Sequence, residues 1–176
     1  AAVGAQPERL DFLDAPKTHA LEAARRELRA LGAIDEDGAI TATGSDLFGL
    51  PIDVALGRLL IEARDTELQE DIIDLVAVLM QTRGIFYRFA SHGDDPKMDL
   101  RHDGCDAAAA VRALNAQNPD SYQIDKLVQK DARRSRNRLR KAFGLGEISA
   151  RTGVFADRKG IAMLIMRALP TCAHIA

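Results

Sequence analysis

The residues best equipped for chemistry are concentrated in one stretch. Residues 126–141 carry Lys126, Lys130, Arg133, Arg134, Arg136, Arg138, Arg140 and Lys141 against a single acid, Asp131. That is eight positive charges and one negative, a net +7, in a chain of 176 residues whose formal net charge is −2. Guanidinium forks match phosphate oxygens two at a time, and their planes stack on bases. Five arginines within eight residues, with no acid between them, therefore suit contact with a nucleic-acid backbone. Tyr122 and Phe143 lie only at the ends of the run, so the pattern fits tracking of phosphates and not the reading of bases. The candidate contact set is Lys130, Arg133, Arg134, Arg136, Arg138, Arg140 and Lys141. The same run also suits two other roles: a solvated helix face paired with acids from neighbouring helices, and a helical module that binds acidic protein partners.

Other constellations are poor. There is no G-x-x-x-x-G-K-[ST] to cradle a nucleotide and no G-x-S-x-G. His102 and Cys105 have a metal-like spacing, and Cys172 with His174 could complete four ligands. Zinc sites show tighter paired motifs, and Cys105 reads instead as a small buried side chain near a helix start. A Cys–His catalytic pair lacks a third, orienting group. His19 and His92 read as surface or capping residues, and Asp94-Asp95 as a solvated loop. The expectation is no catalytic residue, no metal site and no cofactor in this segment.

The elements that must position the basic run emerge from composition and periodicity. Hydrophobic residues make up 47%, enough for a packed core, while aromatics are 5% with no Trp, which argues against an all-β sandwich. The apolar runs reach six residues, as in Ile161–Met166, short of the roughly 20 that a membrane span needs. No basic-then-apolar leader opens the chain. Two cysteines make no disulfide framework, so the chain reads as intracellular and cytoplasmic. It opens on Ala1 and not Met, as a processed or excised piece of something larger would.

After Pro16, with Asp14 or Ala15 as cap, the apolar face Ala20, Leu21, Ala24, Leu28, Leu31 predicts a helix that Gly32 stops. Two short apolar stretches, Ala33-Ile34 and Ala39-Ile40, flank an Asp37-Gly38 turn, a hairpin signal. Thr43-Gly44-Ser45 opens a short helix carrying Leu47 and Phe48, which Gly49 and Pro51 end. Ala55, Leu56, Leu59, Leu60 and Ala63 form the face of the next helix. Leu68, Ile72, Leu75, Val76 and Leu79 form the one after, with Asp65-Thr66 as the break and Arg83-Gly84 as the end. Residues 84–103 stay ambiguous. Cys105 to Gln117 is Ala-rich and helical. Asp120 or Ser121 then caps the basic helix, which runs to about Phe143. Its apolar residues, Val128, Ala132, Ser135, Leu139, Ala142 and Phe143, cover an arc of about 100°. All eight basic residues fall outside that arc, so the helix is expected to dock through one side and show its charges on the other. Asp157 to Leu169 predicts a last helix, stopped by Pro170.

Several stretches taken together resemble a known family. Leu10-Asp11-Phe12-Leu13-Asp14-Ala15-Pro16 precedes the helix of Ala20 to Leu28. Then come Leu31-Gly32-Ala33-Ile34-Asp35, Gly38, Thr41, Gly44 and Leu50-Pro51-Ile52-Asp53. This order and spacing resemble the helicase-associated region of DEAH-box RNA helicases. Gly104-Cys105-Asp106, the basic helix and Leu169-Pro170 resemble its bacterial HrpB branch. The likeness is most specific over residues 8–63 and loosest after 117. Val54-Ala55 stands where the family has Pro-Arg, and Thr171-Cys172 where it has Asp-Arg.

The resemblance implies a mainly α chain: a partial winged helix with a small β-hairpin wing (1–51), a helical-bundle ratchet domain (52–145), and a terminal helix leading into a further region (146–176). It implies a non-catalytic accessory segment of an ATP-dependent helicase, with ATP and Mg confined to missing motor domains. Its partners would be single-stranded RNA, or DNA, and the RecA-like motor domains of the same parent chain, with no membrane.

Overall fold

A computed structural model describes residues 7, 10–86, 105–117, 124–146, 148 and 157–172. Among them are seven α-helices: α1 (Thr18–Ala30), α2 (Ala42–Phe48), α3 (Val54–Ala63), α4 (Gln69–Leu79), α5 (Asp106–Asn115), α6 (Lys126–Ala142) and α7 (Arg158–Ala168). A 3-10 turn, Pro170–Cys172, comes after the last. No helix among the described residues is long and apolar enough to cross a membrane. The chain forms two compact units, Ala1–Glu62 with Ala162–Ala176, and Ala63–Ile161. Compactness thus groups α3 with the N-terminal helices, whereas the sequence boundary at 51/52 groups it with α4, α5 and α6.

In the first unit, α1 begins two or three residues later than Ala15 or Asp14 would dictate. Lys17 occupies the cap position and makes no side-chain capping bond. The apolar face of α1 is only half-covered: Leu21 and Leu28 are half-buried and Ala24 is exposed. Gly32 takes φ 68°, the left-handed conformation expected of a helix stop.

The hairpin wing is corrected. Between α1 and α2 there is one antiparallel bridge, Ile34 to Ile40, and no strand among the described residues. The reason is length. With α1 ending at Ala30 and α2 starting at Ala42, each arm has room for about two paired residues around the tight turn. That turn is closed by Asp35 N–H to Ala39 O at 2.9 Å and Gly38 N–H to Asp35 O at 3.1 Å, with Gly38 at φ 82°. Thr41 then caps α2: its Oγ1 accepts from the Gly44 N–H at 3.0 Å and donates to Gly32 O at 2.6 Å. Gly44 lies so close to the Ala33 carbonyl that no side-chain carbon would fit there.

The second unit is built on α4. Every residue from Asp71 to Ala77 is buried, so this helix is covered almost all round, and α5 and α6 both pack against it. Leu79 is the exception to its expected face, at 52% exposure. The helix ends there, before Arg83-Gly84. The expected break at Asp65-Thr66 is present, with Asp65 at φ 61° and Thr66 Oγ1 donating to Ala63 O at 2.8 Å. The alanines of α5 permit close approach, and Ala113 and Leu114 join Ile85, Ile124, Val128 and Ala132 in one buried cluster. A second bridge, Phe86 to Ile124, delivers the chain to α6. There Asp125, not Asp120 or Ser121, is the cap: its carboxylate accepts from the Leu127 N–H at 2.9 Å and the Val128 N–H at 3.2 Å. Residues 120–121 lie outside the described residues.

Candidate nucleic-acid interface

Helix α6 divides its cations between two faces. Facing inward are Arg133, Arg136 and Arg140, at spacings of three and four, one stripe of a helix. Facing outward are Lys126, Lys130, Arg134, Arg138 and Lys141, all exposed. At 100° per residue these five span an arc of about 120°, and at 1.5 Å per residue they run for roughly 22 Å.

The inward three are held by the rest of the second unit. Arg133 donates from Nε to Leu114 O at 2.9 Å and from Nη2 to Ala116 O at 2.7 Å. It thereby satisfies carbonyls left over at the end of α5. Arg136 is buried and donates from Nη1 to Asn115 Oδ1 at 2.8 Å, with Asp74 Oδ1 at 3.9 Å. Asn115 Nδ2 in turn donates to Asp74 Oδ2 at 3.0 Å. Arg140, also buried, pairs with Glu70 Oε1 at 3.1 Å and donates from Nε and Nη2 to Gly146 O at 3.1 and 3.0 Å. Burying a charge is tolerable only when it is paired and hydrogen-bonded, as Arg136 and Arg140 are; half-buried Arg133 is hydrogen-bonded to two backbone carbonyls.

The expectation that all eight basic residues face solvent is therefore corrected for Arg136 and Arg140, and Arg133 is half-buried. The physical reason is that α4 and α5 present carboxylates and free carbonyls where an apolar neighbour would have rejected guanidinium groups. Asp74 and Glu70 are the residues that periodicity does not single out. Asp74 does carry a signal: an acid inside the run Ile72-Ile73-Asp74-Leu75-Val76 must be paired if that run is core.

On the outer face, Arg134 pairs with Asp131 at 3.2 Å, with both side chains about 60% exposed (62% and 59%). Such a pair contributes little and gives way readily to a phosphate. Lys130, Arg138 and Lys141 point into solvent beside it, and Leu127 is 67% exposed on the same face. The outer face thus presents a row of cations on a helix that is itself anchored by the inner row.

Of the other candidates, Cys105 is exposed at the start of α5, not buried, and makes no capping bond. Asp106 begins the helix directly after it, which leaves the thiol at the unit's edge. His102, His174, His92 and Asp94-Asp95 lie outside the described residues, as does the side chain of Cys172. Among the described residues no group of three or more His, Cys, Asp or Glu could hold a metal ion. His19 is exposed on α1, as a surface residue would be.

No family model matches the chain. Over 135 residues it is 31% identical to a human (Homo sapiens) protein described as probable ATP-dependent RNA helicase DHX34, an alignment that covers 74% of this chain and 11% of that protein. The chain thus spans about a tenth of the length of this curated relative (11%). The likeness supports the helicase family and nothing finer.

Proposed function

We propose that this chain is a non-catalytic accessory segment, the helicase-associated region, of an ATP-dependent RNA helicase of the DEAH-box, HrpB-like kind, working in the cytoplasm. In this reading the N-terminal helical unit braces the motor domains, and the second unit is the ratchet that grips the phosphate backbone of a single strand. Lys130, Arg134, Arg138 and Lys141 make the grip. Arg133, Arg136 and Arg140, members of the same basic run, hold α6 in place beneath them. ATP and Mg belong to motor domains elsewhere in the parent protein.

The observation that carries the reading is the division of α6 into an internally bonded row and a solvent-facing row. A row of cations on a rigid support suits a ligand with regularly repeated negative charge. Single-stranded RNA is such a ligand, and the likeness to an RNA helicase favours it over an acidic protein. Titrating fluorescent single-stranded RNA with the chain, with and without an acidic polypeptide as competitor, tests the choice. Binding that unlabelled RNA contests and the polypeptide does not favours the helicase reading; the reverse favours a protein-interaction module.

A further inference from the structure

A cavity of about 490 Å³ opens at the C-terminal end of α6, lined by Asn137, Arg140, Lys141, Leu145, Gly146 and Ile148. We propose that it receives one unstacked nucleobase of the strand whose phosphates lie along the outer row. This inference rests on the reading of that row as a strand grip and adds a base contact to it.

The cavity is formed by the way α6 ends. Gly144 takes φ 70°, and its N–H donates to Lys141 O at 3.2 Å. The Leu145 N–H reaches back to Arg140 O at 2.9 Å. This pair of bonds reverses the chain in the manner of a Schellman turn and satisfies the last carbonyls of the helix. Arg140, buried and tied to Glu70, then holds Gly146 O with two N–H groups. The loop is pinned over the helix end by a side chain that cannot leave without abandoning its own pair.

The lining matches an aromatic heterocycle with polar edges. Leu145 and Ile148 give apolar surface for the faces of a ring. Asn137 gives an amide with both donors and an acceptor, the equipment for the edge of a base. Single strands are recognised in this way, by bases splayed from the stack and bonded on their edges. The volume exceeds that of a single base, so a pyrimidine or a purine ring enters without displacing the lining.

Position joins the cavity to the grip. Asn137 is exposed and lies three residues after Arg134 and four before Lys141, so it is a surface neighbour of both. A phosphate on either cation would place the attached nucleotide beside the cavity mouth.

The test compares Asn137→Ala with the unaltered chain in binding two probes by fluorescence anisotropy: a single-stranded oligoribonucleotide, and the same strand with its bases removed but every ribose and phosphate kept. The expected result is a Kd raised about five- to tenfold on the intact strand, an unchanged salt slope, and no effect on the abasic strand. Equal weakening on both strands, or no weakening on either, overturns the base pocket and leaves the grip standing. If the unaltered chain binds neither strand, the grip fails and the pocket with it. Asn137 is exposed, so the substitution leaves the fold intact, which an unchanged thermal melt verifies.

Discussion

Arg136 and Asn115 meet between α6 and α5, with the guanidinium Nη1 donating to the amide Oδ1 at 2.8 Å. The other end of the same amide donates to Asp74 on α4 at 3.0 Å. Asn115 thus stands between a buried cation and a buried anion, and its orientation is set by having an acceptor for one and a donor for the other. Three helices are keyed to one register by this single chain of polar contacts.

Removing the cation from that chain leaves Asp74, 2% exposed, as a buried charge. Arg136→Met is expected to cost about 3–5 kcal/mol of stability, as breaking buried pairs does. Adding Asp74→Asn should recover part of the loss, because a neutral amide still bonds to Asn115. Urea unfolding of the single and double variants measures both. A single variant as stable as the parent contradicts the keying role.

Asp125 makes a smaller, local contribution. Its carboxylate accepts two N–H groups of the first turn of α6, at 2.9 and 3.2 Å. Asp125→Ala should lower stability by about 0.5–2 kcal/mol. Asp125→Ser should retain most of it, since a hydroxyl also caps. Thermal melts of the two variants give the comparison.

Gly44 offers a test by sign. An alanine for a glycine inside an exposed helix stabilises by up to about 1 kcal/mol. At Gly44 the added carbon would strike the Ala33 carbonyl, which is backbone and cannot turn aside. Gly44→Ala is expected to destabilise by about 1–3 kcal/mol, the range for overpacking. A stabilised variant would mean that α2 does not sit against Ala33 as described.

Much of this architecture is legible in the sequence, because helix faces and stops are local signals. Gly32, the Asp65-Thr66 break and the face Leu59, Leu60, Ala63 are found where periodicity puts them. The failures share a physical cause. The hairpin motif is present, but its length is decided by where α1 and α2 begin and end, not by the turn residues. The basic helix reads as one solvated face because each arginine looks alike in sequence. What separates Arg136 from Arg138 is an asparagine 21 residues upstream and an aspartate on α4, and no local window contains both. Cys105 reads as a buried side chain and is exposed, because Asp106 starts α5 immediately after it and the core begins only at Ala108.

The two rows of α6 should separate cleanly under mutation. Lys130→Glu, Arg134→Glu and Arg138→Glu combined should weaken RNA binding at least tenfold while each position shifts stability by no more than about 0.5 kcal/mol, as exposed sites do. Arg133→Met should behave in the opposite way, losing stability of about 1–2 kcal/mol through its two carbonyl partners, with binding changed only as far as the fold is. Circular dichroism melts beside the binding isotherms distinguish the patterns. Equal effects from both rows would mean that the division into support and grip is wrong.

The most direct measurement is the affinity of the unaltered chain for a single-stranded RNA across a series of salt concentrations. If about four phosphates are neutralised by Lys130, Arg134, Arg138 and Lys141, log affinity should fall with log salt at a slope near −3, and the triple charge reversal should flatten it. A titration with no slope, or one whose slope survives the reversal, would contradict a phosphate grip on the outer face of α6.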